Sequence, residues 1–125
     1  MMIEDLLERA RSRLERLEPR DADVAVRAGA LLIDIRSDSQ RARDGVVPGA
    51  LLVARNVLEW RCDPASPHRD PRIDGHARRL ILMCNEGYQS SLAAATLHEL
   101  GLTRTTDLIG GFQAWRAAGL PVEPA

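Results

Sequence analysis

Leu80-Ile81-Leu82-Met83-Cys84-Asn85-Glu86-Gly87-Tyr88-Gln89-Ser90-Ser91-Leu92-Ala93-Ala94-Ala95 is the stretch that decides the fold. Four apolar residues run straight into a cysteine, as expected of a parallel strand covered on both faces. A short polar loop with one glycine follows. Behind it an Ala/Leu-rich segment reads as a helix: Ser90 is a good N-cap, and Ala93, Leu97 and Leu100 recur at four- and three-residue intervals before Gly101 stops it.

Cys84 therefore sits where a strand ends and a helix begins, the usual position of a site in an open α/β sheet. A helix N-terminus offers unpaired N–H groups and about half a positive charge. A thiol held there is expected to lose its proton more readily than a free cysteine, whose pKa is about 8.5. The plain alternative is a strand-end cysteine acting as a small hydrophobe. The glycine-containing polar loop favours the reactive reading.

Outward from this stretch the same alternation repeats. Ile3, Leu7, Ala10, Leu14 and Leu17 fall on one face of a helix spanning residues 3–17. That face suits packing on the body of the domain, with a homodimer contact as the alternative. Pro19 opens a second helix that runs to Ala28 and is closed by Gly29. Ala30-Leu31-Leu32-Ile33-Asp34-Ile35-Arg36 is a second buried strand. Ser37 to Gly45 holds a turn or short helix, Pro48-Gly49 turns into a short strand at 50–53, and Asn56 caps a brief helix carrying Leu58 and Trp60. The proline-bearing segment Asp63–Gly75 is a surface loop. A last strand, 105–109, precedes Gly110-Gly111 and a closing helix with Phe112, Trp115 and Ala118 on one face. The predicted fold class is α/β: a small parallel sheet flanked by helices on both faces, with an extra N-terminal helix. Residues 1–17 are read as that helix packed on the body, and residues 18–125 as the domain.

Composition narrows the function. Net charge is −1, so no bulk attraction points to nucleic acid or to a membrane surface. All 17 basic residues are arginine, which removes lysine chemistry. No apolar run reaches the roughly 18 residues of a membrane span, and two cysteines are too few for a disulfide scaffold, so a reducing, cytoplasmic location is expected. His68, His76 and His98 show no metal-ligand spacing, and His98 reads as a surface residue; no metal or cofactor is expected. Cys62 reads as a buried filler rather than a resolving thiol.

Several stretches together resemble the single-domain rhodanese family. Leu32-Ile33-Asp34-Ile35-Arg36 is similar to its first-strand motif. Gly45-Val46-Val47-Pro48-Gly49-Ala50 resembles its G-H-I-P-G-A turn, with Val46 where histidine is common. Cys84-x-x-Gly87 followed by Ser90 resembles its active loop, and Gly110-Gly111-Phe112-x-x-Trp115 with Ala118-Gly119-Leu120-Pro121-Val122 its C-terminal signature. The resemblance implies a sulfurtransferase in which Cys84 takes sulfur from a donor such as thiosulfate or a persulfide, carries it as a persulfide, and passes it to a thiol or protein acceptor. It implies a substrate site formed by Asn85, Glu86, Gly87, Tyr88, Gln89 and Ser90. Their N–H groups can curl toward the sulfur, with Gly87 allowing the bend.

Gln89 stands where many active members have an arginine, and Glu86 adds a negative charge that opposes an anionic donor. Arg36 or Arg55 could supply a positive charge from neighbouring strand ends, although Arg36 is better read as the partner of a carboxylate. Tyr88 is placed at the mouth of the site; Phe112 and Trp115 are placed in the core. A non-enzymatic binding or sulfur-carrier module is the first alternative. A phosphatase or arsenate reductase is a weaker one, because its oxyanion clamp wants arginine at the position of Ser90.

Overall fold

The computed structural model describes all 125 residues. Four parallel strands form one sheet in the order β2-β1-β3-β4: β1 is Leu31–Asp34, β2 Leu51–Leu52, β3 Leu80–Met83 and β4 Thr106–Asp107. The two long strands pair in the middle, Leu31 opposite Leu80 through Asp34 opposite Met83. Every residue of β3 is buried, as an unbroken apolar run predicts.

Side-chain alternation along β1 and β3 builds two cores, one on each face. Ile33, Ile35, Leu80, Leu82 and Cys84 face helices α4 (Leu58–Cys62) and α5 (Gln89–Glu99), meeting Leu58, Cys62, Ala93, Ala94 and Leu97. Leu32, Ile81 and Met83 face helices α2 (Pro19–Arg27) and α6 (Gly111–Ala117), meeting Ala22, Phe112 and Trp115. Phe112 is fully buried and Trp115 nearly so, its indole N–H donating to the Pro121 carbonyl at 2.9 Å. Both aromatics are core residues, as expected. Helix α3 (Asp38–Asp44) follows β1 behind a capping box made by Ser37 and Gln40.

The first helix, α1, is shorter than its apolar spacing predicts. It spans Ile3–Arg11 and packs along α5. Beyond Ser12 the chain leaves the helix so that Leu14 reaches one core and Leu17 the other, on opposite faces of the sheet. A single helical stripe could not serve both. Leu17 instead bridges Leu108 beside β4, its N–H donating to the Asp107 carbonyl at 3.1 Å. Two smaller expectations also change. Asn56 lies inside a 3-10 turn, Arg55–Val57, rather than capping α4. His98 is half-buried, with Nε2 2.7 Å from the Thr105 carbonyl oxygen. No helix is long and apolar enough to cross a membrane.

Candidate active site

Cys84 follows directly on β3 and lies at the base of a cavity of about 530 Å³ at the C-terminal edge of the sheet. Its sulfur accepts hydrogen bonds from the backbone N–H of Gly87 at 3.1 Å and of Ser90 at 3.4 Å. Of the six amides between Asn85 and Ser90, these two reach the sulfur. Those of Asn85, Glu86, Tyr88 and Gln89 have no partner within the protein. Two main-chain donors therefore hold the sulfur, and Cys84 as a residue is 6% exposed.

Ser90 is not the N-cap of α5. The helix starts one residue earlier, at Gln89, with Tyr88 in the cap position and no side-chain cap bond. The Cys84 sulfur takes over part of that role by accepting the Ser90 N–H. The Ser90 hydroxyl bridges the sulfur and Asp107, donating to Asp107 Oδ2 at 2.8 Å while accepting from the Cys84 S–H at 3.3 Å.

The loop's shape depends on what lies beneath it. Gly87 has φ +87°, and a Cβ there would fall 2.6 Å from the Gly110 nitrogen. At Gly111 a Cβ would fall 2.5 Å from the Cys84 carbonyl oxygen. Glycine at both positions lets the Gly110-Gly111 turn press against the back of the loop. The first amides of α6 then hold the strand end: Phe112 N–H donates to the Cys84 carbonyl at 2.9 Å and Gln113 N–H to the Asn85 carbonyl at 3.1 Å. The Gln113 side chain adds a bond from Nε2 to Asn85 Oδ1 at 3.0 Å.

Asn85, Glu86, Tyr88 and Gln89 line the cavity, whereas Gly87 and Ser90 sit behind the sulfur and act through their amides. Tyr88 is 61% exposed at the mouth. Glu86 and Gln89 are exposed as well, so the Glu86 carboxylate meets water. Arg36 and Arg55 both line the cavity, yet neither is a free cation. Arg36 is fully buried and clamps Asp34 through Nε and Nη2, with Nη2 also reaching the Gly45 carbonyl and the guanidinium stacked 3.8 Å from the Phe112 ring centre. It is the carboxylate partner its strand-end position suggests. Arg55 holds both oxygens of Glu59, at 2.9 and 3.0 Å.

Cys62 is buried in the core under α5. Its thiol is pushed up to about 12, first by burial and then by the negative charges of Glu59 and Asp70. It stays protonated at neutral pH and packs as a filler.

Three residues of this region escape a reading of the sequence. Asp107, wholly buried, receives Arg16 through Nε at 2.8 Å and Nη2 at 3.2 Å and both hydroxyls of Ser90 and Ser91. Arg16 and Arg11 each also donate to the Gly87 carbonyl. Asp107 closes a short strand behind two threonines, without the apolar run that precedes Asp34, so no local pattern marked it.

Residues 14–118 match the family model described as the rhodanese-like domain. A sulfurtransferase from Allochromatium vinosum is 32% identical over 92 residues, covering 74% of this chain and 77% of its own. A thiosulfate sulfurtransferase GlpE from Haemophilus influenzae is 28% identical over 111 residues, covering 87% and 94%. Among solved structures, a Rhodopseudomonas palustris protein described as of unknown function and a possible tyrosine phosphatase superposes with a TM-score of 0.89 at 35% identity, covering 98% of this chain and 95% of that one.

Proposed function

The chain belongs to the rhodanese-like domain family, and from that premise we propose that it is a sulfurtransferase whose nucleophile is Cys84. The single observation that carries this reading is the sulfur's position among main-chain donors, two bound and four unpaired, at the floor of an open cavity. Donors fixed before the reaction stabilise negative charge on sulfur without reorganising, and the α5 N-terminus adds to them.

The thiolate attacks the outer sulfur of the donor. A new S–S bond forms on Cys84 while the old one breaks, and sulfite leaves if the donor is thiosulfate, or a thiolate if it is an organic persulfide. The acceptor then attacks the terminal sulfur and returns Cys84 as thiolate. No external base is required once the thiol is ionised. In this reading the Tyr88 and Gln89 amides, which have no partner within the protein, take part of the charge carried by the added sulfur.

The cavity bears on the donor. Its volume lies within the roughly 300–1,000 Å³ of sites that hold organic small molecules. Its two arginines are neutralised by Asp34 and Glu59, and Glu86 stands at the rim. A small-thiol persulfide fits this lining better than thiosulfate does. A phosphatase, which the Rhodopseudomonas relative's description raises for that protein, is disfavoured. The position for its oxyanion-clamping arginine is Ser90, whose hydroxyl is bound to the Asp107 carboxylate.

The test is sulfur transfer to cyanide from thiosulfate and from a small-thiol persulfide, with Cys84→Ser as control and an aryl phosphate as counter-substrate. Turnover lost in Cys84→Ser supports the reading. Absence of turnover with every donor favours a binding module, and hydrolysis of the aryl phosphate favours the phosphatase.

A further inference from the structure

We propose that Arg11, on the N-terminal helix and outside the residues matched by the family model, is a positioning residue for the reactive loop. This rests on Cys84 being the nucleophile. Both side-chain hydrogen bonds of Arg11 and its one aromatic neighbour lie on that loop and its helix. Nη2 donates to the Gly87 carbonyl at 2.8 Å, Nε donates to Ser91 Oγ at 3.1 Å, and the guanidinium lies 5.6 Å from the centre of the Tyr88 ring. Arg16 joins it, with Nη2 3.0 Å from the same Gly87 carbonyl oxygen.

The consequence follows from peptide geometry. The Gly87 carbonyl and the Tyr88 N–H belong to one trans peptide unit, which sets them on opposite sides. Two guanidinium groups drawing the carbonyl backward therefore turn the Tyr88 N–H away from themselves, where it has no partner within the protein. Glycine gives this peptide little steric resistance to turning over. The grip from the N-terminal segment supplies what the loop's own residues lack, and it does so with two charged donors on one carbonyl. Helix α1 thus belongs to the reactive site through its effect on main-chain donors.

The test reads thiol reactivity without any sulfur donor, so it stands apart from the question of which sulfur compound the protein uses. Cys84 alkylation by iodoacetamide is followed by mass spectrometry across pH in wild type, Arg11→Met, Arg11→Lys and, as control on the same helix, Arg9→Met. Arg11→Met is expected to slow alkylation at neutral pH about tenfold and to move its pH profile upward, because a charged hydrogen bond that orders the donors is gone. Arg11→Lys, with one donor head for two acceptors, falls between, and Arg9→Met matches wild type. If Arg11→Met does not fold, Arg11→Lys carries the comparison alone. A wild-type rate and profile in whichever Arg11 variant folds overturns the proposal. So does an equal loss in Arg9→Met, which would signal general loosening of the helix.

Discussion

Asp107→Asn removes one charge from a carboxylate that is wholly buried and takes four side-chain hydrogen bonds, two from Arg16 and one each from Ser90 and Ser91. The shape is kept, so the loss is of charge and of one acceptor, since the amide nitrogen only donates. Leaving one partner of a buried ion pair alone costs about 3–5 kcal/mol. The Arg16 side chain is 16% exposed and can recruit some water, which places the expected cost near the lower bound, about 3 kcal/mol. Each kcal/mol shifts the melting temperature by about 4–8 °C in domains of 60–100 residues and about 2–4 °C at 150–250. A chain of 125 residues lies between, and the expected fall is about 12 °C. Thermal unfolding by circular dichroism measures it. Asp38→Asn is the control, since Asp38 is fully exposed in its pair with Arg41 and should leave the melting temperature nearly unchanged. An Asp107→Asn protein that melts within about 2 °C of wild type would refute the idea that this carboxylate ties the N-terminal segment, α5 and β4 together.

Other outcomes follow from the same geometry. Cys62 should resist iodoacetamide in the native protein while Cys84 reacts, and both should label after denaturation; rapid native labelling of Cys62 would contradict its burial. The native fold also keeps the Cys62 proton that the unfolded chain releases at the ordinary thiol value, so stability should fall as pH rises from about 9 toward about 12, a trend that Cys62→Ala should flatten in denaturant titrations. Gly87→Ala combines a positive φ with a Cβ pressed on the Gly110 nitrogen, and should cost about 2 kcal/mol or more and slow Cys84 alkylation; a stable, fully reactive variant would show that the loop is not held against that turn. Gln89→Arg places a cation at the cavity rim and should raise kcat/KM for thiosulfate roughly tenfold at low salt, with the gain shrinking as salt is added. No gain would mean that charge at the mouth does not limit thiosulfate use.

What could be read from the residues was what obeys a local period. Leu80–Met83 declares a covered strand, and Cys84 to Ser91 declares a turn into a helix. Phe112 and Trp115 declare a buried face, and Asp34 with Arg36 a pair only two residues apart. What escaped was set by contacts distant in sequence. The end of α1 is fixed by where Leu14 and Leu17 must go, on opposite faces of a sheet whose order no helical pattern reveals. Ser90 looks like a cap because its type and position suit one, yet Asp107, 17 residues on, takes its hydroxyl and the sulfur takes its amide. Arg11 and Arg16 read as solvated charges on an amphipathic segment until the fold brings Gly87, 76 and 71 residues away, beside them.

The central claim is that Cys84 accepts and hands on a sulfur atom, and intact mass spectrometry tests it most directly. Wild-type protein incubated with a small-thiol persulfide or thiosulfate, then desalted, should gain about 32 Da, one sulfur atom, that maps to Cys84 and is removed by cyanide. Cys84→Ser should gain nothing. A wild type that stays unlabelled by every donor, or an adduct of the same mass in Cys84→Ser, would contradict the account.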